Sequence, residues 1–343
     1  MLSMTRRPPK GRRMGREQMR LLITGGAGFI GSNFVRLLLT GCVPGHEDTR
    51  ITVLDALTYA GDAESLPARH PRLEFVHGDI GDVSLLWELL PGHDAVVHFA
   101  AESHVDRSIE LPELFATTNI LGTHRLLAAC VQAGVRKVVQ VSTDEVYGSI
   151  TQGSWAEPTA LAPNTPYAAS KAAGDLLARA YWRTYGLDVS ITRCSNNYGP
   201  RQHPEKVIPK FVTRLLDGRN VTLHGDGGAV REWLHVEDHC RAVCLVLDKG
   251  QAGEVYHVGG GVELSNRELT ARLLALCGAD WSRVDLVPDR AVQDRRYSLD
   301  SGKIGRELGF EPAVDFAAGL EAVVQWYRDH RAWWEPRVEC ATY

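Results

Sequence analysis

The stretch Leu21-Leu22-Ile23-Thr24-Gly25-Gly26-Ala27-Gly28-Phe29-Ile30-Gly31 decides the fold. An apolar run opens it, glycines interrupt it, and an apolar helical pattern continues through Leu39. Such an order predicts a strand, a tight turn and a helix. Gly25 suits the turn, Gly28 suits close approach of the main chain to a pyrophosphate, and Gly31 suits packing of the helix on the sheet. The helix start then offers amide hydrogens to the phosphates. Glycine triplets also mark ordinary turns, and the spacing here is G-x-x-G-x-x-G rather than G-x-G-x-x-G. The next strand therefore matters.

That strand, Ile51-Thr52-Val53-Leu54, ends in Asp55. A carboxylate at this point accepts hydrogen bonds from both hydroxyls of a ribose and repels a 2′-phosphate, which favours NAD over NADP. Residues 75–80 read as a third strand and its exit through Asp79 and Ile80, residues 95–101 as a fourth strand and residues 138–142 as a fifth. Strands alternating with helical stretches predict an α/β fold, a Rossmann-type doubly wound parallel sheet with a smaller C-terminal substrate-binding lobe.

Thr143, Asp144 and Glu145 follow the fifth strand directly, at the carboxyl end where open α/β sheets bind their ligands. Tyr167 and Lys171 stand four apart and so share one face of a helix. Together they form a proton-transfer set, because two adjacent carboxyls divide acid and base work when their surroundings push their pKa values apart. An Asp-Glu pair at a strand exit is ordinarily solvated, and Tyr-x-x-x-Lys recurs on exposed helices. What argues for a site is their order behind a single glycine loop.

In that order, the glycine loop, Asp55, Ser142 to Glu145 and Tyr167-x-x-x-Lys171 resemble the extended short-chain dehydrogenase/reductase superfamily. Residues 99–108, 142–148, 194–200, 204–206 and 231–238 narrow the resemblance to the dTDP-glucose 4,6-dehydratase family, over about residues 19 to 330. The resemblance implies NAD as cofactor and dehydration of dTDP-glucose to the 4-keto-6-deoxy sugar. Tyr167 is then expected to take the C4 hydroxyl proton as hydride passes to NAD, with Lys171 favouring the phenolate and Thr143 hydrogen-bonding the C4 oxygen. Glu145 is expected to remove the C5 proton and Asp144 to protonate the departing C6 hydroxyl, after which hydride returns to C6.

By the same resemblance, Gly25, Gly28, Phe29, Ile30, Gly31, Asp55, Asp79, Ile80, Ala100, Ala101, Thr118 and Asn197 bind the cofactor along with Tyr167 and Lys171. Ser103, Thr143, Asn196, Glu205, Lys206, Arg231, Asn266 and Gln293 are assigned to the nucleotide sugar, the cations suiting a diphosphate. Gln293 departs from the family pattern, which has histidine there; an amide still donates to a phosphate or ribose oxygen but carries no charge. The expected boundaries are a disordered basic tail over 1–18, an NAD-binding domain over 19–197 to which 231–260 returns, and a nucleotide-sugar lobe from 198–230 and 261–335. A related 4-epimerase, a dehydratase acting on a UDP or GDP sugar, and a non-catalytic NAD-binding module stand as alternatives.

Composition bounds the rest. With 343 residues and 44% hydrophobic content, the chain can bury a large core. Its formal charge of -4 provides no basic field for nucleic acid or an anionic membrane, and no apolar run approaches a bilayer-spanning length. The seven cysteines are scattered without a Cys-x-x-Cys pair, which fits a reducing cytoplasm and gives no reason to expect a metal site. Residues 1–18 carry Arg6, Arg7, Lys10, Arg12, Arg13 and Arg16 but lack the apolar stretch of a secretory signal. A homodimer is implied by the resemblance alone. Ala317 to Trp326 reads as a closing amphipathic helix, and Trp333-Trp334 as a cover for apolar surface.

Overall fold

The protein is described by a computed structural model covering residues 18–289 and 294–340. The basic tail through residue 17, and Gln293, lie outside the described residues. Six strands form in succession: β1 (Arg20–Thr24), β2 (Arg50–Asp55), β3 (Leu73–His77), β4 (Ala95–His98), β5 (Lys137–Thr143) and β6 (Val189–Cys194). The chain then leaves through β7 (Asn196–Tyr198), β8 (Val221–His224) and β9 (Val230–His235), and returns by the helix Val236–Lys249 and β10 (Val255–Val258). It leaves again as β11 (Val262–Ser265) and β12 (Val284–Val287).

The main sheet runs β10-β6-β5-β4-β1-β2-β3, every neighbouring pair parallel. Strand order reverses between β1 and β4, which opens a crevice at their carboxyl ends where a dinucleotide fits. Both faces are covered, so the central strands are buried throughout, and successive side chains of β1 enter opposite layers. Leu21 and Ile23 pack with Phe34, Val53, Val97, Val139 and Val243 on one side. Leu22 packs with Leu54, Val96, Leu126, Val138 and Ile191 on the other.

A separate apolar core, including Ile208, Phe211, Leu269, Leu320, Tyr327 and Trp334, holds the smaller lobe. There β9 pairs parallel with β7 and antiparallel with β11, and β8 pairs parallel with β12. The closing helix spans Phe316–Asp329 and buries Leu320, Val323 and Val324. Trp334 is fully buried against that core and donates its indole hydrogen to the Tyr327 carbonyl, and Trp333 packs beside it, so the pair covers apolar surface as expected.

Two helical segments place the site. The helix Pro166–Tyr185 starts at Thr165, whose hydroxyl accepts the Ala168 amide hydrogen, has Pro166 in its first turn, and stops at Gly186 with φ +71°. Ahead of the helix Thr123–Ala133, residues Ala116–Gly122 form a π turn, one residue looser per turn than an α-helix. Within it, Asn119 donates to the Glu102 carbonyl at 3.0 Å and to Ser170 Oγ at 2.8 Å. Thr118 reaches the cleft beneath the sheet ends.

Candidate active site

A cleft of about 310 Å³ opens along the carboxyl ends of β1, β2, β4, β5 and β6. Its floor is the glycine loop. Gly25 holds φ +69°, and a Cβ there would come within 2.5 Å of the Ala100 nitrogen; a Cβ on Gly31 would come within 2.2 Å of the Gly25 carbonyl. Gly28 differs, since its Cβ would approach only the Gly25 oxygen, at 3.3 Å, and otherwise occupy space a ligand needs. Gly28 also caps the helix Phe29–Leu39 without a side-chain acceptor, leaving that end suited to an anion.

Asp55 ends β2 facing this loop. Its carboxylate accepts the Ala27 and Leu57 amide hydrogens, each at 2.9 Å. Burial raises its pKa, while those two amides and His77 act the other way. Asp144 Oδ2 and Asn196 Oδ1 are buried in the cleft wall without a hydrogen-bond partner among the described residues, as befits groups meant for a ligand. An open crevice, a bare helix start and a carboxylate at the second strand end together fit a nicotinamide dinucleotide.

Every residue expected at the cofactor lines this cleft: Gly25, Gly28, Phe29, Ile30, Gly31, Asp55, Asp79, Ile80, Ala100, Ala101, Thr118, Tyr167, Lys171 and Asn197. Thr143, Asp144 and Glu145 line it too. They arrive where β5 gives way to a 3₁₀ turn over Asp144–Tyr147, with Thr143 accepting the Glu145 amide hydrogen at 3.3 Å and donating to Asp144 Oδ1 at 3.2 Å. Lys171 donates to the Val141 carbonyl at 2.7 Å.

The electrostatics separate the two carboxyls. Asp144 is buried and Glu145 only partly so. Burial first, then the charges of Glu145 and Glu232, hold the Asp144 pKa well above the usual carboxylate range, against a pull from Thr143 and Arg231. Both influences favour the protonated form of Asp144, beside a more accessible partner. Burial, Glu145 and Cys194 likewise push the Tyr167 phenol up, with the Thr143 hydroxyl pulling it down. Burial lowers the Lys171 ammonium, opposed by Asp175 and Cys194.

Of the residues expected at the nucleotide sugar, Ser103, Thr143, Asn196, Glu205 and Lys206 line the cleft. Lys206 donates to the Ser103 carbonyl at 2.9 Å. Half-buried Glu205 sits 3.9 Å from both Arg107 and Lys206, whose charges partly offset the rise that burial imposes on its pKa. Arg231 and Asn266 are not brought to the cleft wall. Arg231 donates to the Val230 and Asp294 carbonyls at 2.8 and 3.0 Å and stacks 4.3 Å from the centre of the Tyr297 ring. It stands close enough to Asp144 to act through charge. Asn266 opens the helix Asn266–Cys277, its amide bonded to the Ala229 carbonyl at 2.9 Å.

The sequence reading missed several residues of the wall, among them Tyr59, Glu102, Cys194 and His203. Cys194 ends β6, so its place at a carboxyl strand end was a usable signal. Tyr59 lies in the loop after Asp55, where no period guides a reader; the Arg107 guanidinium sits 3.8 Å over its ring.

Comparison with known proteins gives a consistent picture. A family model described as GDP-mannose 4,6 dehydratase matches residues 22–323. A dTDP-glucose 4,6-dehydratase of Streptomyces niveus is 58% identical over 320 residues, covering 93% of this chain and 95% of that protein. A crystal structure of a dTDP-glucose 4,6-dehydratase from Streptomyces venezuelae, with NAD bound, superposes with a TM-score of 0.92 at 63% identity, covering 93% of this chain and 100% of that one. A UDP-glucose 4-epimerase from Thermotoga maritima shares the fold at a TM-score of 0.83 and 32% identity, over 91% of this chain and 99% of that one.

Proposed function

The chain belongs to the dTDP-glucose 4,6-dehydratase family of the extended short-chain dehydrogenase/reductases, and from that premise we propose that it dehydrates dTDP-glucose to dTDP-4-keto-6-deoxyglucose using NAD. One observation carries the reading from geometry: a buried, proton-holding Asp144 beside a part-exposed Glu145, in the same cleft as Tyr167 and Lys171. A 4-epimerase needs no acid and base for C5 and C6. A dehydratase needs both.

When bound, NAD supplies a hydride acceptor, later a hydride donor, and a positive ring charge. The protein supplies the proton chemistry. Tyr167 takes the C4 hydroxyl proton, and Lys171 favours its phenolate against the burial that opposes it. Thr143 holds the C4 oxygen. Once C4 is a ketone, the C5 proton is acidified and Glu145 removes it, while Asp144 delivers its stored proton to the leaving C6 hydroxyl. The glycine loop and Asp55 hold the cofactor, with Asp79, Ile80, Ala100, Ala101, Thr118 and Asn197 around it. Ser103, Asn196, Glu205 and Lys206 take the nucleotide sugar as the lobe from 198–230 and 261–335 closes on it. Asn266, in that lobe, and Arg231, on β9 at its edge, reach it only if the lobe draws in.

A homodimer is the assembly this reading favours. Ile109, Leu111, Leu114 and Leu121, ahead of the helix Thr123–Ala133, and Leu176 of Pro166–Tyr185 are all exposed apolar side chains, suited to packing against a second copy. Among the described residues no helix is long and apolar enough to cross a membrane. The free thiols of Cys42, Cys130, Cys194, Cys240, Cys244 and Cys277 support a cytoplasmic location. Incubation of the purified protein with dTDP-glucose, followed by NMR of the sugar, tests the reaction. A C6 methyl beside a C4 ketone is expected without stoichiometric added NAD; a C4 epimer or an unchanged ring overturns it.

A further inference from the structure

Beneath the cleft lies a run of buried polar side chains that the chemistry above does not use. It starts at Asp175, which is 0% exposed and accepts a hydrogen bond from Arg193 Nε at 2.9 Å. Arg193, 2% exposed on β6, reaches on through Nη1 to the Tyr147 phenol at 2.5 Å. The phenol lies 2.6 Å from His257 Nε2 on β10, and His257 Nδ1 lies 3.1 Å from the Asp300 carbonyl. The Trp155 ring stacks on Tyr147 at 5.2 Å.

With a neutral His257, one arrangement of hydrogens satisfies this run. Arg193 can only donate and the Asp300 carbonyl can only accept, so His257 carries its hydrogen on Nδ1 and accepts at Nε2. Tyr147 therefore accepts from Arg193 and donates to His257, its contact with the Glu157 carbonyl being longer at 3.4 Å. Burial, with the charge of Arg193, brings the His257 pKa down to about 4, which keeps the ring in that neutral form. The run has a single sense and does not reverse at neutral pH.

Its two ends explain what it does. Tyr147 is the last residue of the turn that carries Asp144 and Glu145, and Gly148 follows with φ +81°, ending that turn. Asp175 is one helical turn beyond Lys171, on the helix that carries Tyr167. The helix is fixed independently by the Thr165 cap and the bond from Lys171 to Val141. The turn is held at its start by Thr143 and at its end by the Tyr147 side chain.

We propose that Tyr147, Arg193 and His257 are positioning residues that hold the Asp144–Glu145 turn in register with the Tyr167 helix, so that water elimination depends on them far more than oxidation at C4 does. This rests on the dehydratase reading. Asp175 closes the tie by serving Arg193 from the helix side. A misplacement of about 1 Å in a catalytic group costs a large factor in rate, and elimination needs two carboxyls placed at once.

Tyr147→Phe is the direct test, since it keeps the stack on Trp155 and removes both hydrogen bonds. Turnover of dTDP-glucose is expected to fall about tenfold with KM changed by roughly twofold or less. The isotope effect from deuterium at C5 should rise and that from deuterium at C4 should fall. Loosening of the whole fold does not produce that split. His257→Leu should repeat the pattern, and His257→Gln, which still accepts and donates, should recover much of the lost rate; this pair carries the test if Tyr147→Phe does not fold. Wild-type turnover in the folded variants, or a loss in which the C4 effect rises instead, overturns the inference alone. Absence of dehydration by the unaltered protein overturns it together with the reading beneath it.

Discussion

Lys171 donates a hydrogen bond to the main-chain carbonyl of Val141 at 2.7 Å, joining the helix that bears Tyr167 to the strand that ends in Thr143. The ammonium is buried, which lowers its pKa against the pull of Asp175 and Cys194, and in the proposed mechanism its charge favours the Tyr167 phenolate. Lys171→Met keeps most of the side-chain volume and removes that charge. Turnover should fall by about 10²–10⁴-fold, the usual worth of a positioned acid-base group, with little change in sugar affinity. Steady-state kinetics across pH check this, and a variant within a factor of a few of wild type would discard the role given to Lys171.

Asp144 has a folded pKa raised above its unfolded value. Its contribution to stability is therefore whole below the unfolded value near 3.8 and is lost as pH rises through the folded one. Asp144→Asn removes that penalty. Relative to wild type, the variant should match at acid pH and gain on the order of 1–2 kcal/mol above neutrality, while losing the ability to donate a proton to the leaving hydroxyl. Urea unfolding at several pH values reads the first effect and turnover the second; a gain that shrinks with rising pH contradicts the assigned direction.

Asp55 presents its carboxylate oxygens to the Ala27 and Leu57 amides, with its charge at the end of β2. Asp55→Asn keeps a hydrogen-bonding side chain of similar size and removes the charge. NAD should bind about tenfold more weakly, 1.4 kcal/mol, and discrimination against NADP should shrink. Calorimetric titration of cofactor-free protein measures both constants, and an unaltered NAD/NADP ratio would refute the role of the charge.

Leu176 is 58% exposed on the helix Pro166–Tyr185, in the region of the exposed Leu114 and Leu121. Leu176→Asp places a charge where the proposed second copy packs, and it should shift the protein from dimer to monomer without loss of secondary structure. Light scattering on the eluting protein distinguishes the two masses. A dimer that persists at low micromolar concentration would move the interface elsewhere.

The cofactor half of the site was readable because its determinants are local. Gly25, Gly28 and Gly31 share one turn, Asp55 ends the very next strand, and buried parallel strands declare themselves as apolar runs. Thr143, Asp144 and Glu145 were readable from their place at a strand exit. Tyr59 and His203 were not, because their edge-to-face contact joins two loops that carry no period. Arg231 was assigned by family pattern to the sugar, yet its guanidinium is engaged by the Val230 and Asp294 carbonyls. The run from Asp175 to His257 was equally hidden, since each member sits on a different element and only the sheet order brings them together.

The π turn at Ala116–Gly122 acts as a phase correction. An α-helix advances about 100° per residue, so one additional residue in a turn rotates everything beyond it relative to everything before it. Within the adjustment, Thr118 serves the cleft and Asn119 binds Glu102 and Ser170. At its end Gly122 lies against Ile80, and just beyond it Thr123 meets His98 at 3.0 Å. Deleting one residue here would yield a more regular helix and a poorer enzyme, because one set of partners or the other would swing out of reach.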